Sequence, residues 1–275
     1  MNRILCPVDF SDACMTAVEF ATKIAEKHSS SILLAHVITT EEYDDMLDEN
    51  RDETLEKIHA EIEKKLQILT GEVNINTGSD YFICTYKILY GELTNEIVEL
   101  SKKENVSLIV MGTNGASDIN EVRMGSNTVK VINRSHIPVL SVPANTAYKD
   151  FSRIVYGSEL SDEDKTILRQ VINFAIPFDS RIYLVHVSES QGKKDDYDKY
   201  VETINSYLNY KKLKVEEFVT SEDVAIALEH TLNVHDANLL VLVHKSRKLL
   251  ENLFHKSLTK KMSYLTNFPL LALRN

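Results

Sequence analysis

Short apolar runs alternate with amphipathic stretches along the whole chain. ILCPV, within the first ten residues, is a continuous apolar run suited to a buried strand. Behind Ser11, a good helix N-cap, Val18, Ala21, Ile24 and Ala25 share one face at helical spacing. ILLAHVI predicts a second strand. Leu55, Ile58, Ile62, Leu66 and Leu69 keep a helical period over Arg51 to Thr70. YFICTYKIL predicts a third strand, followed by a helix carrying Leu93, Ile97 and Leu100. SLIVM predicts the fourth strand, Val129 and Ile132 a short helix, and PVLSV the fifth strand. Continuous apolar strands between amphipathic helices predict an α/β fold, a parallel sheet covered on both faces. Five such units make an open, doubly wound sheet.

The pattern occurs twice. RILCPVDFSD at Arg3 to Asp12 resembles RIVYGSELSD at Arg153 to Asp162, and at the same offset of 150 SILLAHV falls on RIYLVHV. SLIVMG matches NLLVLV, and HIPVLSV matches NFPLLAL, both at an offset of 131, so the second copy is 19 residues shorter in its middle. Ser161 is the predicted N-cap of its first helix. Tyr197, Tyr200, Val201, Ile204 and Leu208 mark its second. The polar segment PANTAYKD, Pro143 to Asp150, reads as the join, which predicts domains over 1–144 and 151–275.

Composition narrows the function. No apolar run is long enough to span a bilayer and no signal-peptide pattern opens the chain, so a cytoplasmic protein with no membrane partner is expected. Residues 1–150 hold 14 basic and 24 acidic side chains, and residues 151–275 hold 17 of each. Neither half has the basic excess of a nucleic-acid binder, so no nucleic-acid partner is expected. The acidic stretch EEYDDMLDEN lacks the glycine turn and spaced glutamate of a calcium loop and reads as a solvated segment. Cys6, Cys14 and Cys84 are odd in number and lack CxxC spacing, which predicts reduced thiols and no metal site.

Three of the 8 glycines, Gly112, Gly115 and Gly125, fall between Met111 and Thr128. In a sheet of order 3-2-1-4-5, the ligand crevice lies beyond strands one and four. Asp9 follows strand one and the glycines follow strand four, so both converge there. Gly112 and Gly115 suit a tight loop with inward amides that a ligand can approach. Gly125-Ser126 opens the last helix, whose free N–H groups favour a phosphate. Ser126 either caps that helix or offers its hydroxyl. The spacing excludes a GxxxxGK[ST] loop and a GxGxxG fingerprint.

Gly112-x2-Gly115-x9-Gly125-Ser126, together with Pro7-Val8-Asp9 and the His36-Val37 step, resembles the universal stress protein family. That family carries G-x2-G-x9-G-[ST] after its fourth strand. The resemblance spans both copies and implies a tandem member. It implies an adenine nucleotide, ATP with or without magnesium, as the ligand. Asp9 and the Val37 backbone would hold the base, and Gly112, Gly115, Gly125, Ser126 and Asn127 the ribose and phosphates. Pro7, Met111 and Asn114 complete the implied set, although Asn114 stands where the family often has His or Arg. The resemblance also implies pairing of the two domains through PVLSV and PLLAL, with a homodimer as a further option. In the second copy Val243, Ser246 and Lys256 stand at the three glycine positions, Ser257 at Ser126, and Glu159 at Asp9. Its added cations (Lys245, Arg247, Lys248, Lys256, Lys260 and Lys261) read first as a solvated face and second as a dock for acidic surface.

Other chemistry is sparse. His36 and His186 read as hydrogen-bonded packing residues, and no histidine pair has zinc-ligand spacing. Cys14 lies in a first helical turn, where a redox role competes with an ordinary packed thiol. No GxSxG elbow, metal-binding carboxylate pair or positioned general base is evident. Binding is therefore better supported than catalysis, with at most slow ATP hydrolysis. The leading reading is a nucleotide-dependent stress-response module. An interaction or dimerisation protein with a vestigial nucleotide site is the alternative, and an ATPase or nucleotidyl-transferring enzyme of the same broad fold is the third.

Overall fold

The computed structural model describes residues 1–39, 51–76, 83–113, 125–144, 146–161, 163–188, 194–220, 223–244 and 267–274. The chain divides into two compact units, the second beginning at Thr146.

In the first unit, strand β1 (Arg3–Pro7) leads to helix α1 (Asp12–His28), β2 (Ser31–Thr39), α2 (Arg51–Asn76), β3 (Cys84–Gly91), α3 (Leu93–Lys103), β4 (Leu108–Thr113), α4 (Ser126–Arg134) and β5 (Val139–Pro143). The strands run parallel in the order β3-β2-β1-β4-β5. The apolar runs give each strand a buried centre, with Ile4, Leu5, Leu33, Leu34, Ile109 and Leu140 almost fully enclosed. Ser11 caps α1, accepting from the Cys14 N–H, and the helix buries Ala17, Val18, Phe20, Ala21, Ile24 and Ala25 against the sheet. Helix α2 runs six residues past the predicted end. Asn74 in that added length holds Cys84 through both its backbone groups, at 2.8 and 3.1 Å. Helix α4 turns Thr128, Val131 and Ile132 inward, while Val129 is only half-buried.

In the second unit, β6 (Arg153–Ser158), α5 (Asp164–Ala175), a 3-10 turn (Ile176–Phe178), β7 (Arg181–Ser188), α6 (Lys194–Leu208), β8 (Leu213–Val219), α7 (Val224–Val234), β9 (Leu239–His244) and β10 (Leu270–Arg274) give the order β8-β7-β6-β9-β10. The registers recur at the sequence offsets. Arg3↔Ser31 becomes Arg153↔Arg181, and Ile109↔Val139 becomes Leu240↔Leu270. Backbone strain recurs as well. Phe10 and Leu160, Ser29 and Asp179, and Asn105 and Asp236 all have φ between 46° and 63°, a region costly for side chains other than glycine. The same three turns are thus imposed by topology on two unlike sets of side chains.

One expected cap is absent. Ser161 does not cap α5, which begins at Asp164 behind Glu163 with no side-chain cap bond. The Ser161 N–H instead donates to the Asp164 carboxylate at 2.8 Å, because that buried acid gathers the turn around itself.

The start of α1 and the end of β4 approach too closely for a side chain. A Cβ on Gly112 would lie 2.5 Å from the Ala13 carbonyl carbon and 2.9 Å from the Cys14 nitrogen, both rigid backbone atoms. In the second unit Val243 stands at this register position, and α5 starts two residues later than the offset of 150 would put it. Gly112→Ala is expected to lower stability by about 1–3 kcal/mol through overpacking. Urea unfolding checks it, and an unchanged midpoint would show that the contact is slack.

Candidate functional site

The crevice begins where β1 stops. Its last pair with β2 is Pro7↔Ala35, after which the Val8 N–H donates to the Ala35 carbonyl at 2.8 Å. Asp9 then turns the chain. Its Oδ1 accepts from the Ser11 N–H at 3.0 Å and from the Ser11 hydroxyl at 2.6 Å, leaving Oδ2 on an exposed carboxylate. This Asx-type turn places Phe10 at φ 63° and stacks its ring on His36, with centroids 5.4 Å apart. The Lys65 ammonium lies 5.7 Å from the same ring.

Val37 faces this turn by strand alternation. Ser31 N–H donates toward β1, to Asn2, and Ile32 N–H toward β3, to Ile83. Odd-numbered residues of β2 therefore direct N–H and C=O to the β1 side. Two residues beyond Pro7↔Ala35, Asp9 comes opposite Val37. The regular ladder would join the Val37 N–H to the Val8 carbonyl, but the pairing has already ended. His36 Nδ1–H donates to that carbonyl at 2.7 Å. A backbone edge at Val37 and a carboxylate oxygen at Asp9 thus stand side by side at the end of the sheet.

The other wall comes from β4 and α4. β4 is the neighbour of β1, and the Thr128 hydroxyl donates to the Gly112 carbonyl at 3.1 Å, tying the first turn of α4 to the end of β4. Gly125 holds the N-cap of α4 and has no side chain with which to cap it. Ser126 and Asn127 are exposed in that first turn, which contains no acidic residue. The first N–H groups of a helix lack internal partners and carry its positive dipole end.

Several expectations change in detail. Gly112 is needed for packing against α1, so a ligand meets its backbone only from the opposite side. Gly125 has φ −56°, which any residue adopts, so its value lies in space and not in conformation. Ser126 is not the cap. Met111 is buried, so its side chain belongs to the core. Pro7 is the final residue of β1. Asn114 and Gly115 lie outside the described residues, as do the acidic stretch at 41–50 and the cations at Lys245, Arg247, Lys248, Lys256, Lys260 and Lys261. Sequence reasoning missed the ties made by Thr128 and the Phe10–His36 stack. Neither a lone threonine nor a phenylalanine at positive φ carries a pattern of its own.

The sequence profile of the universal stress protein family matches residues 1–143, more than half of the chain. The chain belongs to the universal stress protein family. A universal stress protein of Methanocaldococcus jannaschii is 28% identical over 145 residues, which cover 51% of this chain and 81% of that protein. Universal stress protein YxiE of Bacillus subtilis is 28% identical over 153 residues, covering 51% of this chain and 98% of its own. The crystal structure of a universal stress protein from Archaeoglobus fulgidus superposes over 99% of this chain and 98% of its own, with a TM-score of 0.77 at 17% identity. The family fold therefore extends over both units.

Among the described residues, no group of three His, Cys, Asp or Glu side chains is placed to hold a metal, and no helix is long and apolar enough to cross a membrane. The three thiols of this family member are free and buried. Burial pushes Cys14 up to about 11, against the helix N-terminus that would favour its thiolate, and pushes Cys84 up to about 12. Cys14 Sγ–H points to the Pro7 carbonyl at 3.6 Å. A rise of two units leaves about a hundredfold less thiolate at neutral pH. Iodoacetamide labelling of Cys14 at pH 7.5, mapped by mass spectrometry, should therefore be about a hundredfold slower in folded than in urea-unfolded protein. Equal rates would return the redox role to consideration.

Proposed function

We propose that the first unit binds ATP and that the protein is a nucleotide-responsive stress-response module with at most slow hydrolysis. One observation carries this reading. The end of β1 sets the Asp9 carboxylate opposite the Val37 backbone edge, and the neighbouring β4 leads through Gly112 to the uncapped first turn of α4. The first pair offers an acceptor and a donor suited to the edge of a purine. The second offers N–H groups and positive potential suited to a polyphosphate. The full glycine motif and the family's ATP-binding members point to the same ligand. Magnesium would arrive with the triphosphate. The second unit, with Val243, Lys256 and Glu159 at the motif positions, reads as a tandem, degenerate copy, so one nucleotide per chain is expected.

Two variants test the two ends separately. Gly125→Lys should abolish ATP binding with the fold intact, because its side chain fills the space beside the α4 N-terminus. Simple charge attraction predicts the opposite, a tighter complex. Asp9→Asn keeps an acceptor for Ser11 while altering what is offered to the base, so discrimination between ATP and GTP should fall by roughly 1–3 kcal/mol. Calorimetry with ATP, GTP and inorganic triphosphate reads both, with circular dichroism as the folding control. Wild-type ATP affinity in Gly125→Lys would favour the interaction protein with a vestigial site.

A further inference from the structure

We propose that Asp164 holds shut the strand end of the second unit, adding to the motif losses there a second reason why that unit takes no ligand. Its buried carboxylate closes, in the second unit, the ladder step that the first unit leaves open at Val37. The purpose assigned to the open step rests on the nucleotide reading, but the closure itself does not.

Asp164 is 2% exposed and lies in no salt bridge among the described residues. Four donors converge on it. The Tyr156 hydroxyl donates to Oδ1 at 2.6 Å. The Ser158 hydroxyl, the Ser161 N–H and the Tyr200 hydroxyl donate to Oδ2 at 2.7, 2.8 and 3.0 Å. They come from β6, from the turn after it, and from α6. At the matching positions the first unit has Cys6 for Tyr156, Val8 for Ser158 and Cys14 for Asp164, none of which can build this cluster.

Ser158 links the cluster to the sheet. While its hydroxyl donates to Asp164, its oxygen accepts from the Leu160 N–H at 2.9 Å, which draws the strand end into line. β6 is accordingly one residue longer than β1. Its last pair with β7 is Ser158↔His186, whereas β1 ends at Pro7↔Ala35, one step earlier. In this alternation the added pair is made by the Val187 N–H donating to the Ser158 carbonyl, the counterpart of the unmade bond from Val37 to Val8. The histidine is not the cause. His186 Nδ1–H donates to the Ser158 carbonyl at 3.0 Å much as His36 does to Val8, and a carbonyl oxygen accepts two bonds. Nor is the turn, since Phe10 and Leu160 share the left-handed conformation. The side chains gathered on Asp164 are the difference.

Amide hydrogen exchange on the full chain, without nucleotide, tests this. In the wild type the Val187 amide should exchange at least roughly tenfold more slowly than Val37, in proportion to one added hydrogen bond at a strand end. Asp164→Asn keeps the shape but presents an NH2 group to donors. It should bring Val187 toward the rate of Val37 and leave Tyr183, in the middle of β7, unchanged. The proposal fails if Val187 is no slower than Val37 in the wild type. It also fails if Asp164→Asn leaves Val187 as it was, or loosens Val187 and Tyr183 together, since a purely structural role predicts the latter. Protection of Val37 on adding ATP is a separate readout. Its absence would count against the nucleotide reading and leave the closure standing.

Discussion

Pairing between β1 and β2 ends at Pro7↔Ala35, and the layout of the crevice follows from that stop. A ladder that ran one step further would bury the Val37 edge in a backbone bond. At that stop Asp9 folds back onto Ser11, whose hydroxyl in turn caps α1, and no cluster like that on Asp164 extends the strand. One short turn therefore starts a helix, ends a strand and presents a carboxylate. The positive φ of Phe10 is the conformational cost of doing all three in three residues, offset by stacking on His36.

The second wall depends on a different constraint, the distance between β4 and α1. Only a residue without Cβ fits at Gly112, so the strand end and the helix start are locked together. Thr128 then brings α4 to the same point. The second unit keeps the sheet and its registers while dropping this contact. Val243 replaces the glycine, α5 starts later, and the turn is rebuilt around a buried carboxylate. The fold thus persists under two incompatible solutions of the same corner, one open at the strand end and one closed.

Strand and helix order could be read from apolar spacing because each strand here is enclosed on both faces, which writes the whole run into the sequence. The twofold repeat was legible for the same reason, since matched strands keep matched registers. The convergence of Asp9 with the glycine segment also follows from strand order alone. What could not be read were contacts made by residues that look ordinary in a string. Gly112 resembles a loop glycine until α1 is seen beside it, and Ser161 resembles a cap until Asp164 is found to be buried. Cys14 looks activated at a helix start until it is found buried in the packing. In each case a long-range neighbour overrides the local rule.

On the proposed reading, one nucleotide sits across the ends of β1 and β4 in the first unit. Backbone amide shifts followed during an ATP titration of the intact chain test this most directly. Saturable changes are expected at Val37, Gly112, Gly125, Ser126 and Asn127, with the second-unit amides of Val187 and Val243 unmoved. Saturable changes centred on the second unit, or none at saturating ATP, would contradict it.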